Sequence, residues 1–266
     1  MNSVDLAKKI RRLSVEMTHR THASHIGSAL SVADIIAVLY ADIVKVFPDD
    51  PKNSARDRVV LSKGHSGMAV YAALAELGFF SMEELMTYYQ DGSKLSGHIS
   101  HKGVPGVEVS TGSLGHGIGI AVGMALAAKL DDKGHRIFVI IGDGENEEGS
   151  VWEAAEFAAF HRLSNLTVIV DYNRMQAMGN CDRQVYVGNL AEKWRQFGFE
   201  TLECDGHSHR ELRECLSKRG CGAPVCVLAH TIKGKGVSFM ENALLWHYRD
   251  PQGEWYDRAV KELEEG

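Results

Sequence analysis

The sequence predicts an α/β fold, a doubly wound parallel sheet with helices on both faces. Three observations predict it. Short apolar runs rich in Val and Ile, at 58–61, 137–141, 166–170 and 225–229, alternate with helix-patterned segments. The stretch from Arg136 to Met175 holds two of these runs joined by one helical segment, a βαβ unit that requires parallel strands. No repeat and no linker composition divides the 266 residues, so 1–266 reads as one domain with room for a sizeable core.

Each element has a local reason. Residues 4–19 carry Leu6, Ile10, Leu13 and Met17 on one helical stripe. Residues 21–28 form a polar, glycine-containing loop. A second helix is expected to start at Ser31, capped with Asp34 at the matching offset, and to bury Ile35, Ile36, Leu39 and Ile43. Pro48 and Pro51 mark a loop before the strand 58–61, and the alanine-rich helix 68–77 is stopped by Gly78. Ser81 is expected to cap a helix running through Tyr89. The segment 90–111 has little periodicity, and a structureless stretch of about twenty residues in a compact domain is usually functional.

A helix then runs to Lys129, with Gly119, Ala121, Gly123, Ala125 and Ala127 permitting close packing. In the βαβ unit, the strand 137–141 turns at Gly142-Asp143-Gly144. Ser150, with Glu153 three residues on, has the capping-box spacing, and the strand 166–170 closes on Asp171-Tyr172-Asn173. A helix at 190–197, a strand at 200–203, a helix from Ser208 and Glu211 to about Lys218, and the strand 225–229 complete the pattern. From about 237 the chain is mixed, an irregular C-terminal extension.

Composition excludes several classes. Hydrophobic residues at 44% and charged residues at 24% are ordinary for a globular protein. A net charge of −6 without a basic run argues against a nucleic acid partner. No apolar run approaches the roughly 20 residues of a membrane span. The opening MNSVDLAKKIRR lacks the apolar core of a signal peptide, so cytoplasmic residence is expected. Cysteines stand at 181, 204, 215, 221 and 226, and the lack of a C-x-x-C pair argues against zinc. Cys226, within an apolar run, reads as a buried reduced thiol.

Asp143 and Asn173 both fall just past the carboxyl ends of their strands, the edge at which open parallel sheets bind ligands. One carboxylate and one amide oxygen, beside glycines that admit close backbone approach, suit Mg²⁺ carrying a diphosphate. A lone Gly-Asp-Gly is also an ordinary tight turn; the pairing with Asn173 gives it meaning. His25, His65 and His98 each lie near glycine in a loop or strand end. Taken singly, each is also a hydrogen-bonded structural histidine. Together they suit hydrogen bonding to diphosphate and sugar hydroxyls, and proton exchange near neutral pH. Glu145 and Glu147 read as a solvated face or as favouring a helix N-terminus.

Gly-Asp-Gly, followed roughly thirty residues later by a strand ending in Asn, resembles the thiamine diphosphate signature. The words LSKGHS, SGHIS and TGSLGHGIGIAVG resemble the transketolase family. The resemblance runs from about His22 to His247 and matches only the diphosphate-binding half of a full-length transketolase. It implies the thiamine diphosphate-binding fold, with thiamine diphosphate and Mg²⁺ (or Ca²⁺ or Mn²⁺ in its place) as cofactors.

By that resemblance Asp143, Asn173 and the backbone carbonyl of Met175 bind the metal, and Gly142 and Gly144 belong to the cofactor site. His65 and His247 touch the diphosphate. His25 and His98 line the reacting carbon and the donor hydroxyls and are, with His247, the candidate catalytic residues. Gly112 and Leu114 contact the cofactor rings, and Ile232 packs against the thiazolium. Glu148 and Glu153 match carboxylates that join two active sites of a dimer through water, although Glu153 also fits the capping box. Tyr248 stands where the family has glycine, and His116 where it has glutamine.

Nothing in the chain resembles the pyrimidine-binding domain, which in the family supplies the activating glutamate, or the arginines that hold substrate phosphates. The resemblance therefore implies the N-terminal subunit of a split transketolase, inactive alone and joined in an α2β2 assembly by a C-terminal, pyrimidine-binding partner chain. It further implies self-association through the diphosphate-binding domain, and ketol transfer between sugar phosphates. An unusual-sugar or sulfosugar transketolase, a deoxyxylulose-phosphate synthase relative and a non-catalytic Mg-diphosphate-binding module stay open. A Rossmann dehydrogenase does not fit, because Gly115-x-Gly117-x-x ends at Ile120 instead of glycine.

Overall fold

The structure, a computed structural model, describes residues 1–176, 178–180 and 188–266. Among these, β1 (Arg58–Leu61), β2 (Ile137–Gly142), β3 (Leu166–Tyr172), β4 (Glu200–Asp205) and β5 (Val225–His230) form one sheet. Its order is β1-β2-β3-β5-β4, and every pairing is parallel. Ile137 lies opposite Leu166 and Thr167 opposite Val225, so the strands end level at their carboxyl edge. A two-stranded antiparallel ribbon, Met175–Gln176 with Gly179–Asn180, follows β3.

β2, β3 and β5 are nearly continuous apolar runs because both of their faces are covered, whereas the edge strand β4, Glu-Thr-Leu-Glu-Cys-Asp, is mostly polar. Val59, Leu61, Phe138, Ile140, Ile169 and Val227 share one core with α1 (Ser3–Thr21), α2 (Ile26–Val38) and α3 (Gly67–Glu76). Val60, Val139, Ile141, Val168, Val170 and Leu228 face the other way, towards α4 (His116–Leu130), α5 (Gly149–Phe160) and α6 (Leu190–Gln196). α7 (His209–Leu216) and α8 (Glu254–Glu265) add Leu212, Leu216 and Ala259 to the first core. Helices on both faces of a parallel sheet are the predicted architecture.

Several expected helix starts are corrected. α2 begins at Ile26, with His25 before it in the left-handed region at φ 73°. Ser31 is interior and buried, and its hydroxyl donates to the Ser28 carbonyl (3.1 Å) and the Asp171 carboxylate (2.6 Å). Asp34, also buried, takes Arg11 Nη1 at 3.0 Å, so tertiary partners claim both groups of the supposed cap. α5 begins at Gly149 with Glu148 in the cap position. The Ser150 hydroxyl instead donates to the Gly115 carbonyl at 3.0 Å, and Glu153 is exposed.

Ser81 does cap its helix, accepting from the Glu84 amide at 3.1 Å, but the helix is one turn, Met82–Leu85. Ser208 caps α7 as expected. The mixed tail contains a 3-10 turn at Leu244–His247 and the twelve-residue α8. The stretch Ile26–Ile43 does have the length and apolarity of a membrane span, with mean hydropathy 1.7, against the expectation of no such run. It is 83% buried within the protein core. Cys204, Cys215, Cys221 and Cys226 are free thiols, Cys226 fully buried; Cys181 lies outside the described residues.

Candidate active site

Four neighbouring strands end in loops that build one cavity of about 360 Å³. The loop after β1 brings Lys63 and His65, that after β2 brings Gly142, Asp143 and Gly144, and that after β3 brings Asn173 and Met175. The loop after β5 brings Lys233. His25, His98, Gly112, Leu114, Glu148, His247 and Tyr248 complete the wall. Of the residues singled out as catalytic, cofactor-binding or metal-binding, only Ile232 is not on it. Its amide donates to His207 Nε2 at 2.8 Å.

The four histidines, scattered over the sequence, come together. His25 lies 5.1 Å from His65, 5.9 Å from His98 and 5.1 Å from His247, between ring centroids. Close backbone packing permits this: a Cβ on Gly112 would meet the His98 ring at 2.9 Å, and one on Gly64 the Thr111 carbonyl oxygen at 2.4 Å. His25 itself holds a left-handed backbone, disfavoured for a side chain with Cβ and typical of functional sites, and its amide donates to the His247 carbonyl at 2.8 Å.

Burial holds three of these imidazoles, His25, His65 and His247, neutral at physiological pH. Burial, and then neighbouring His98, lower the His25 pKa to about 4. Burial with Lys233 lowers that of His247 to about 3, and burial with Lys63 lowers His65 well below its ordinary value. Lys233 Nζ donates to His247 Nδ1 at 2.7 Å; a lysine ammonium has no acceptor, so the His247 proton sits on Nε2.

Lys63 and Lys233, 1% and 2% exposed, are functional residues that sequence reasoning missed. Lys63 pairs with the fully buried Asp171, which also accepts from Ser31, Thr231 and Asn173 Nδ2 (3.3 Å). The last bond orients the Asn173 amide. Glu145, read as a solvated face, is 2% exposed. Its carboxylate accepts from the Gly115 amide (2.8 Å), the Gly142 amide (3.0 Å) and the Ser62 hydroxyl, clasping the start of α4 to the turn after β2. Buried backbone amides needed an acceptor there, and the run Glu145, Glu147 and Glu148 gives no sign of which glutamate it is.

A cation carrying a diphosphate fits the donors present. Asp143 is buried, and burial, reinforced by Asp171, raises its pKa to about 7. A buried carboxylate with raised proton affinity is stabilised by a cation. Asn173 Oδ1 and the Met175 carbonyl are hard oxygens beside it; the carbonyl accepts from Lys233 Nζ at 3.2 Å. One carboxylate with neutral oxygens suits Mg²⁺, which takes its remaining ligands from phosphate and water. Among the described residues no group of three His, Cys, Asp or Glu forms a self-sufficient metal site.

Comparison with known proteins agrees with this geometry. Residues 3–248 match the family described as transketolase, thiamine diphosphate binding domain. The chain is 41% identical, over 97% of its length and 92% of the relative's, to one of the subunits named for the apulose-4-phosphate transketolase of Phocaeicola vulgatus. It is 42% identical, over 97% of its length and 94% of the relative's, to the 6-deoxy-6-sulfo-D-fructose transketolase subunit SqwG of a Clostridium species. The crystal structure of Campylobacter jejuni transketolase superposes with a TM-score of 0.91 at 31% identity, covering 100% of this chain and 43% of that one.

Proposed function

The chain belongs to the transketolase family, as its thiamine diphosphate-binding domain, and from that premise we propose that it is the N-terminal subunit of a two-chain transketolase. It binds Mg²⁺ and thiamine diphosphate through Asp143, Asn173 and the Met175 carbonyl. The observation that carries the reading is the meeting of these three oxygen donors with four histidines in one cavity. Thiamine diphosphate, when bound, supplies the nucleophilic carbon and electron sink for transfer of a two-carbon ketol unit from a ketose to an aldose acceptor. His65 and His247 donate hydrogen bonds to the diphosphate. His25 and His98 line the place of the reacting carbon, where imidazoles accept and return hydroxyl protons.

The two subunit-named relatives, matched over nearly their whole lengths, support a second chain that completes the site. We expect a pyrimidine-binding partner, an α2β2 assembly, cytoplasmic residence, and no ketol transfer by this chain alone. The same relatives favour a donor outside the common ketose phosphates, since one is named for apulose-4-phosphate and the other for a sulfofructose. Assay of the paired chains against xylulose phosphate, apulose phosphate and sulfofructose distinguishes the donors.

The metal site is tested directly by calorimetry. Asp143→Ala and Asn173→Ala are each expected to weaken Mg²⁺-dependent thiamine diphosphate binding at least about tenfold while the circular dichroism of the fold persists. Unchanged affinity in either variant refutes this assignment.

A further inference from the structure

Behind the cavity wall, among α1, α2 and α7, lies a second buried polar cluster that the site above does not use. Asp34 is 5% exposed and is gripped by Arg11 through both guanidinium nitrogens, Nη1 at 3.0 Å. It also receives His207 Nδ1 at 2.6 Å and His209 Nε2 at 3.0 Å. The other ring nitrogen of His207, Nε2, faces the Ile232 amide at 2.8 Å. A backbone N–H can only donate, so Nε2 carries no proton and the proton of neutral His207 sits on Nδ1, against Asp34. A buried carboxylate thus fixes one tautomer of one imidazole, and that tautomer holds one peptide of the turn after β5.

The next residue in that turn is Lys233, which reaches the cavity and donates to His247 Nδ1 and the Met175 carbonyl. The turn is also held by the Gly234 amide on the Gly27 carbonyl at 2.9 Å, the Asn242 amide on the Lys233 carbonyl at 2.8 Å and Arg11 Nε on the Lys235 carbonyl at 3.1 Å. Gly234 holds φ 82° where a Cβ would meet the Met240 carbonyl at 2.3 Å, so the turn has one tight conformation. We infer that His207, oriented by Asp34, is a positioning residue that sets Lys233 and, through it, His247 and the Met175 carbonyl. His209 bonds the same carboxylate but makes no bond to the turn, and it serves as the internal control.

The inference rests on reading the cavity as the Mg²⁺–thiamine diphosphate site, and its test separates the two. In His207→Gln the amide oxygen reaches the place of Nε2 and keeps an acceptor for Ile232; in His207→Asn the shorter amide reaches only the place of Nδ1. Nitrogen-15 spectra of the histidine rings in the chain, and calorimetry with Mg²⁺ and thiamine diphosphate, are recorded for both variants and for His209→Asn. We expect His207→Asn to shift the His247 ring resonances and weaken cofactor binding about tenfold. His207→Gln restores both towards the parent, and His209→Asn changes neither. Unmoved His247 resonances in His207→Asn overturn the inference, as do equal losses in His207→Asn and His209→Asn. If the parent binds no cofactor while His247 still responds to His207→Asn alone, the positioning link stands and the cofactor reading fails.

Discussion

At the scale of single residues, burial moves the proton affinities of groups lining the cavity away from their values in water. His25 and His247 are lowered to about 4 and about 3, and His65 well below its ordinary value. Below about pH 6.5 the unfolded chain takes up protons on these imidazoles that the folded chain refuses, so stability falls as pH drops from there towards about 4. Asp143, raised to about 7, and Glu145, raised by burial, work in the opposite direction, but they are two carboxyls against three imidazoles. The unfolding free energy is therefore expected to be lower at pH 5 than at pH 7. His65→Gln should reduce that slope by up to one proton, about 1.4 kcal/mol per pH unit. Urea titrations at the two pH values check this, and an unchanged slope in His65→Gln removes His65 from the argument. Asp143 was legible in the sequence because it sits between glycines at a strand end, and His25, His65 and His98 because each lies near glycine; His247 came from the family resemblance alone. Lys63 and Lys233 stand in the same words, Ser-Lys-Gly-His and Ile-Lys-Gly-Lys, and were not legible, because nothing local says that a lysine is 1% or 2% exposed. Asp171, the partner of Lys63, lies far away in the sequence, and only the sheet brings it near.

At the scale of elements, apolar strands and helical stripes were readable, and helix starts were less so. The interior strands β2, β3 and β5 are nearly continuous apolar runs, a signal that survives any tertiary context. Caps do not: Ser31 and Ser150 have the right spacing, yet each hydroxyl is taken by a partner from another element. The start of α4 shows how closely the elements must approach. A Cβ on Gly117 would meet Ser62 Oγ at 2.5 Å and Ser62 Cβ at 2.6 Å, whereas a Cβ on Gly119 would meet nothing within 4 Å. Two glycines on one helix should then respond with opposite signs. Gly117→Ala overpacks the contact with the end of β1 and is expected to cost about 1–3 kcal/mol. Gly119→Ala removes only backbone entropy from the unfolded chain and is expected to be neutral or to stabilise by up to about 1 kcal/mol. Denaturant midpoints of the two variants decide it, and equal effects would mean that the approach of α4 to β1 is not the constraint.

At the scale of the whole molecule, one face of α4 is left without a neighbour among the described residues. Gly119, Ile120, Gly123, Ala127 and Leu130 are exposed there, Leu130 at 76%. Phe157 and Phe160 on the adjacent α5 are exposed at 44% and 81%, so the surface is apolar across two helices. The small residues recur every three or four positions, so a second backbone can come close along the whole stripe. The same region reaches the cavity, because Leu114 just before α4 and Glu148 just before α5 both line it. A partner seated here therefore borders the site, which agrees with the self-association proposed for this domain. A cationic side chain in the middle of the stripe tests the idea without disturbing the fold, since a Cβ on Gly123 would meet nothing within 4 Å. Gly123→Arg is expected to leave the unfolding midpoint within about 1 kcal/mol of the parent and to weaken self-association at least about tenfold, through a buried charge with no partner. Sedimentation of parent and variant over a range of concentrations measures both states. A parent that stays monomeric at tens of micromolar, or a variant that associates equally well, means that the α4 face meets something other than its own copy.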